Sequence, residues 1–149
     1  MKGDFLHLAF AACVLVFAAS GEELLPKPCG VGVPLLMGSV LVVAANRPLV
    51  SAVLFAAAAG GIEDAISSLP LFTSVGFFLL AGVFVRMTEL RRTTIVAAYP
   101  CYQLWLSLGV DFGGGMFARL LVALPLGLLA GVLLMLVLPA LERKAALDA

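Results

Sequence analysis

Side chains that could carry out catalysis are few in this chain of 149 residues. His7 is the single histidine, and near the inner end of the first apolar run it is expected to be an interfacial residue rather than a ligand or base. The three cysteines, at positions 13, 29 and 101, form no C-x-x-C pair. The sequence also contains no phosphate-binding glycine loop, no metal-ligand spacing and no Ser/His/Asp set. We therefore expect no enzymatic activity, no cofactor and no metal, and the net charge of zero argues against nucleic acid as a partner.

One acidic pair stands out, because Glu63 and Asp64 directly follow an apolar run over residues 49–62. A charge at the centre of a bilayer costs about 2.5–3.5 kcal/mol, so the pair is expected near the outer end of that run. Neighbours on a helix point about 100° apart, so only one of the two is expected to face a bundle interior. Two interpretations stay open. In the first interpretation, both residues are ordinary acids at a loop end. In the second, Asp64, which lies one turn after Gly60, either braces the turn into the next helix or contacts a partner protein.

A second polar feature lies in the run over residues 93–110. Pro100 frees a backbone carbonyl one turn earlier and predicts a kink, and Gln103 needs a hydrogen-bond partner at depth. Such a helix either lines a substrate cavity or packs against its neighbours. If the helix is shifted outward, Tyr99, Tyr102 and Trp105 are expected to form an interfacial aromatic belt.

The last apolar run contains Gly127 and Gly131, which lie one helical turn apart. Two such glycines let another helix approach closely. The approaching helix either belongs to the same bundle or comes from a second membrane protein.

These residues sit within long apolar runs that thin charge clusters separate. The chain is 63% hydrophobic and 12% charged, whereas a soluble domain would expose a larger charged fraction. A helix needs about 20 residues to cross a hydrocarbon layer of roughly 30 Å. Six apolar runs fit this requirement, five of them slightly short and the last one longer, at residues 5–20, 31–45, 49–66, 69–85, 93–110 and 116–141. The sequence therefore predicts an all-α integral membrane protein, a single bundle of six short transmembrane helices in one domain, 1–149.

Turn signals support these divisions. Pro48 and Pro70 are each expected in a first helical turn, where a missing N–H costs nothing. The second run is the least regular, since Pro34 and several glycines interrupt it, and a partly re-entrant segment stays open. The first run, with Lys2 and the small residues 18–20, also resembles a cleavable signal, whose removal would leave five spans.

The distribution of basic residues predicts the orientation, because cytoplasmic loops carry excess Lys and Arg. With the N-terminus inside, the outer side holds only Lys27 and Arg119. The inner side then holds seven of the nine basic residues: Lys2, Arg47, Arg86, Arg91, Arg92, Arg143 and Lys144. We expect a multi-pass protein with both termini in the cytoplasm.

The stretch from Arg47 to Phe78 resembles the bacterial rod shape-determining protein MreD. The pattern of that family is an arginine at a helix start, an apolar helix ending in glycine, three residues and aspartate, then a serine or glycine turn, a leucine and a new helix. The matching residues here are Arg47, Gly60, Asp64, Ser67 and Leu71. The family usually has glycine at the positions of Ser68 and Phe72 and an apolar residue at that of Glu63.

The resemblance implies a non-enzymatic scaffold of the cell-elongation complex in the bacterial inner membrane, contributing to regulation of cell shape and peptidoglycan synthesis. Its implied partners are an MreC-like membrane protein, an MreB-like filament, and the peptidoglycan polymerase and transpeptidase. The turn around Asp64 is expected to hold the stem of the MreC-like protein, and the face of Gly127 and Gly131 is a further expected docking surface.

An alternative function follows from the same resemblance. The fold of the family is similar to the substrate-binding S-components of energy-coupling-factor transporters, which keeps a small-molecule (vitamin) binding subunit open. Such a subunit would dock through small residues of its first helix, which are here Ala9, Ala11, Ala12, Ala18 and Ala19. An integral membrane enzyme is a third possibility, and the lack of paired catalytic groups at depth argues against it.

Overall fold

The computed structural model describes residues 2–25, 33–67, 69–70, 72–88, 91–110 and 116–147. Regular structure within these residues is entirely helical, which confirms the prediction of an all-α chain. The six helices are α1 (Lys2–Leu24), α2 (Leu35–Asn46), α3 (Leu49–Ile66), α4 (Thr73–Met87), α5 (Arg91–Val110) and α6 (Met116–Leu147).

The helix boundaries differ from the predicted runs where proline and an unusual backbone conformation intervene. α2 begins at Leu35 rather than at residue 31, because Pro34 precedes it as its N-cap residue. α4 begins at Thr73 rather than at residue 69, so Pro70 lies before the helix and not in its first turn. Pro48 likewise is the N-cap residue of α3, one position before the first turn. Both prolines were therefore predicted too far inside their helices.

Length and composition distinguish the helices. Within the described part of the chain, Leu49–Ile66 and Leu120–Val137 are long and apolar enough to cross a membrane. α2 and α4 are apolar but shorter, with 12 and 15 residues.

The core of the bundle lies between α2, α3 and α4. α1 packs against α2 and α3, α5 packs against α4, and α6 packs mainly against α5. The largest fully buried apolar side chains come from α2, α4 and α5: Leu36, Met37, Leu41, Phe78 and Ile95. This arrangement brings the end of α1, the end of α3 and the starts of α2 and α4 to one end of the bundle.

Candidate functional site: a buried polar joint

A cluster of polar side chains, the polar joint, fills the end of the bundle where α1 and α3 end and α2 and α4 begin. Each member is at most 7% exposed. The polar joint consists of Glu22 on α1, Glu63 and Asp64 on α3, Ser74 on α4 and Tyr102 on α5.

Asp64 fixes the start of α4 from the preceding helix. Its Oδ1 accepts a hydrogen bond from the backbone N–H of Ser74 at 2.7 Å. Ser74 is the second residue of α4, so its N–H has no partner within the helix, and the N-cap residue Phe72 makes no side-chain cap. The backbone carbonyl of Asp64 also accepts the N–H of Leu69 at 3.0 Å. Asp64 therefore braces the turn between α3 and α4 at two points.

Gly60 makes this bracing geometrically possible. A Cβ at position 60 would lie 2.5 Å from Val75 Cα and 2.7 Å from Val75 N, so no side chain fits between the two backbones. The neighbouring Gly61 has nothing within 4 Å of the corresponding position. Gly60 is thus required for the close approach of α3 and α4, which in turn places Asp64 against Ser74.

Glu22 makes the equivalent contact between α1 and α2, and the sequence analysis missed it. Its Oε1 accepts the backbone N–H of Leu36 at 2.6 Å. Leu36 is the second residue of α2, whose N-cap residue Pro34 provides no side-chain cap. A signal for this contact was present in the sequence. At Glu22-Glu23, as at Glu63-Asp64, an acidic pair ends an apolar run, shortly after a glycine and before a proline and a new helix.

Glu63 lies beside Asp64 at the end of α3. Its Oε1 accepts the hydroxyl hydrogen of Ser67 at 3.1 Å. Glu63 and Asp64 are both buried, because α1 and α2 cover one side of α3 and α4 covers another. The expectation that only one of them faces the interior was wrong, and their burial also contradicts the interpretation of both as ordinary acids at a loop end.

The aromatic side chains of α5 close the polar joint. The hydroxyl groups of Tyr102 and Ser74 are 2.7 Å apart and hydrogen-bonded, and the Tyr102 ring packs on Phe77 and Phe78. Tyr99 is also buried, so neither tyrosine belongs to an interfacial belt. Trp105 is 45% exposed and donates its Nε1–H to the carbonyl of Thr73 at 3.1 Å.

Three acids share this buried volume without a basic partner among the described side chains. The arginines that the structure describes at side-chain level lie at the opposite ends of their helices, at Arg47, Arg86 and Arg92. Positive potential comes instead from the N-termini of α2 and α4. Glu63 Oε2 and Asp64 Oδ2 accept no hydrogen bond from a donor in the described residues.

The other predicted site residues are dispersed. Arg47 is exposed between α2 and α3, and Ser67 ends α3 with its N–H on the carbonyl of Glu63. Leu71 lies outside the described residues. α5 continues from Arg91 to Val110 through Pro100, and Gln103 is buried within it.

The glycine face of α6 is occupied inside the bundle. A Cβ at Gly127 would lie 3.2 Å from Pro100 N, and one at Gly131 would lie 2.8 Å from the carbonyl oxygen of Val96. That carbonyl is the one that Pro100 leaves without a helical donor, so the two sequence features meet at one contact. The face of α6 that carries Gly127 and Gly131 therefore packs against α5 of the same chain. The expectation that this face docks a second membrane protein was wrong.

Side chains for other chemistry are not brought together. In the part of the chain that the structure describes, no group of three His, Cys, Asp or Glu side chains is placed to hold a metal ion. Cys13 and Cys101 are free and exposed, and Cys29 lies outside the described residues.

The fold and the polar joint define a helical bundle whose polar residues connect helices. Comparison of the chain with known proteins finds no matching family model, no matching curated protein and no matching solved structure.

Proposed function

We propose that this chain is a non-enzymatic membrane scaffold of the bacterial cell-elongation machinery, contributing to cell shape and peptidoglycan synthesis as MreD proteins do. One observation carries the proposal. Gly60 and Asp64, the glycine and aspartate of the resembling pattern, together set the junction of α3 and α4. The spacing of the pattern thus has a physical reason in this chain.

The conformation of Phe72 adds support. Its φ of 71° lies in the left-handed region, and Phe72 is the non-glycine residue with positive φ in the described chain. Glycine adopts this conformation without the steric cost that a Cβ imposes. Glycine is also the residue that the family usually has at this position. A left-handed backbone at position 72 therefore agrees with the glycine that the resembling pattern usually has there.

The proposed location is the inner membrane, with six spans and both termini in the cytoplasm. Large apolar side chains on the outward faces of the helices support contact with lipid, including Phe17, Leu54, Phe84, Leu121 and Leu136. Arg47, Arg86 and Arg92 lie at one end of the bundle, as the positive-inside distribution requires. The short α2 and α4 fit a bilayer that is locally thinned around them.

In this proposal the polar joint acts indirectly on the partners. Asp64 is only 2% exposed, so it cannot itself contact the stem of an MreC-like protein, as the sequence had suggested. It supports partner binding by fixing the turn between α3 and α4 at the outer end of the bundle. The MreB-like filament would meet the opposite, arginine-bearing end.

Depletion in the native bacterium, with complementation, tests the proposed function. Depletion is expected to convert rods to rounded cells and to disperse sites of wall insertion. Wild-type protein and Gly61→Ala should restore the rod shape, whereas Asp64→Ala, at equal membrane abundance, should not. Normal rods and normal wall insertion after complete depletion would contradict the proposal.

A small-molecule binding subunit is the second candidate. The observation that favours it is the pair of buried carboxylate oxygens without donors, Glu63 Oε2 and Asp64 Oδ2, since a bound ligand with N–H or O–H groups would satisfy them. A thermal-unfolding screen with vitamins distinguishes the two functions. Stabilisation by one vitamin, together with rod shape that survives depletion, would favour the transporter subunit.

A further inference from the structure

Phe72 adopts a backbone conformation that its side chain makes unfavourable. Its φ of 71° and ψ of 5° are those of the third residue of a type II turn. The N–H of Thr73 closes this turn on the carbonyl of Pro70 at 3.1 Å. Glycine occupies such a position freely, whereas a residue with a Cβ does so at a steric cost. A phenylalanine at this position therefore indicates that its ring has a role that glycine could not fulfil.

The Phe72 ring points away from the bundle. Phe72 is 67% exposed, and it begins a line of residues that follows the outward face of α4 at helical spacing. This outward line of α4 consists of Phe72, Gly76, Leu80, Phe84 and Met87, and its four large side chains are all exposed. A Cβ at Gly76 would have nothing within 4 Å, so no residue that the structure describes covers the line at that point.

Trp105 contributes neighbouring surface from α5. It donates its Nε1–H to the carbonyl of Thr73, the residue after Phe72, at 3.1 Å. The centroid of its ring lies 6.1 Å from that of Phe77. The indole N–H is the single polar group of a tryptophan side chain, and here it already has a partner within the chain. The exposed part of the Trp105 ring therefore offers apolar surface to its surroundings.

We propose that Phe72 and Trp105 form an aromatic anchor, in which both rings contact lipid acyl chains next to the headgroups and hold the start of α4 at that depth. This inference rests on the membrane location proposed above. At about 1.5 Å per residue, the 15 residues of α4 span only about 22 Å, less than a hydrocarbon layer of roughly 30 Å. Phe72 lengthens the apolar surface of this short helix at its outer end, where glycine would leave bare backbone.

Lipid fits the outward line of α4 better than a second protein does. Specific protein interfaces carry hydrogen bonds, and the side chains of the line include no strong hydrogen-bonding group. Helices that associate within a membrane favour small residues at their contact, whereas Phe72, Leu80 and Phe84 are large. Acyl chains require neither feature, so the surface is suited to lipid.

Fluorescence quenching of the purified full chain in phosphatidylcholine nanodiscs tests the anchor in the wild type. Trp105 is the single tryptophan, so its emission reports on one position. Lipids brominated on their acyl chains near the headgroup should quench it strongly, and iodide in the solution should quench it weakly. Strong quenching by iodide with little quenching by the brominated chains would overturn the proposal. Protection from both quenchers would mean that protein covers the ring, and would overturn it equally.

Matched substitutions isolate the contribution of the Phe72 ring. Phe72→Ala should reduce quenching of Trp105 by brominated chains and increase quenching by iodide, because headgroups and water then reach the start of α4. Phe84→Ala removes a ring of similar exposure, 61%, from the other end of the line and should change neither. Phe72→Gly relieves the backbone strain and should still lose the anchor. Unchanged quenching in both Phe72 variants, or an equal change in Phe84→Ala, would overturn the role of Phe72. The wild-type measurement decides the role of Trp105 even if a variant does not fold.

Flotation of the full chain with phosphatidylcholine vesicles separates failure of the anchor from failure of the proposed location. A chain that does not float would overturn both. A chain that floats while iodide alone quenches Trp105 would overturn only the anchor. The cellular role is measured independently by depletion, so normal rods after depletion would contradict that role, while quenching by brominated chains would still support the anchor.

Discussion

The substitution Gly60→Ala tests whether the close approach of α3 and α4 holds the polar joint together. The new Cβ would lie 2.5 Å from Val75 Cα and 2.7 Å from Val75 N. These are backbone atoms, so no change of rotamer relieves the contact. To reach ordinary carbon contacts of about 3.5 Å, the two helices must separate by about 1 Å. The same displacement would take Ser74 N out of hydrogen-bonding range of Asp64 Oδ1, now at 2.7 Å.

The expected loss of stability has three components. Forcing an extra carbon into packed backbone costs about 1–3 kcal/mol. Losing a hydrogen bond to an ionised carboxylate costs about 1.5–3 kcal/mol. Alanine recovers about 1 kcal/mol through its higher helix propensity. We therefore expect Gly60→Ala to lower the free energy of unfolding by about 1.5–5 kcal/mol. Gly61→Ala, with nothing within 4 Å of its Cβ, is the matched control and should raise it by up to about 1 kcal/mol.

Reversible unfolding in mixed detergent micelles measures this difference. Trp105 is the single tryptophan and donates to the carbonyl of Thr73, the first residue of α4, so its emission reports on this end of the bundle. The double variant Gly60→Ala/Asp64→Ala should be less destabilised than the sum of the two single variants, because the first substitution already breaks the Asp64 hydrogen bond. Equal stabilities of Gly60→Ala and Gly61→Ala, or strict additivity in the double variant, would refute the coupling of glycine and aspartate.

Two further substitutions probe other contacts by the same unfolding measurement. Phe72→Gly should stabilise the protein by about 1 kcal/mol, because glycine relieves the left-handed φ of 71°; Phe72→Ala, which keeps a Cβ, should not, and an equal gain from both would disprove the backbone explanation. Gly131→Ala should destabilise it by about 1–3 kcal/mol, since its Cβ would lie 2.8 Å from the carbonyl oxygen of Val96, and a neutral result would mean that α5 and α6 separate freely there.

Helix positions were largely predictable, because each helix must present an apolar surface over most of its length. α3 begins and ends where its apolar run does, at Leu49 and Ile66. The start of α4 was not predictable in this way. Pro70 is suited to a first helical turn, but the helix begins only at Thr73, after Phe72 in a left-handed conformation. A phenylalanine in the sequence gives no indication of that conformation.

The polar joint was only half predictable. Asp64 follows Gly60 by one turn, so a local pattern indicated the bracing of the next helix. Glu22 and Glu63 are far apart in the chain but are buried at the same end of the bundle, and no spacing rule reports how two pairs of helices pack. The glycines of α6 show the same limit, because the sequence indicates a close helix contact without indicating which helix makes it.

The shortness of α2 and α4 explains why acids are placed at this end of the bundle. At about 1.5 Å per residue, the 12 residues of α2 span only about 18 Å, well under the thickness of a hydrocarbon layer. In the proposed topology the first N–H groups of these helices lie below the membrane surface, where water cannot satisfy them. Glu22 and Asp64 accept those N–H groups from the ends of the preceding helices. The helix N-termini in return stabilise the two carboxyl groups, because no basic side chain among those that the structure describes lies at this end of the bundle.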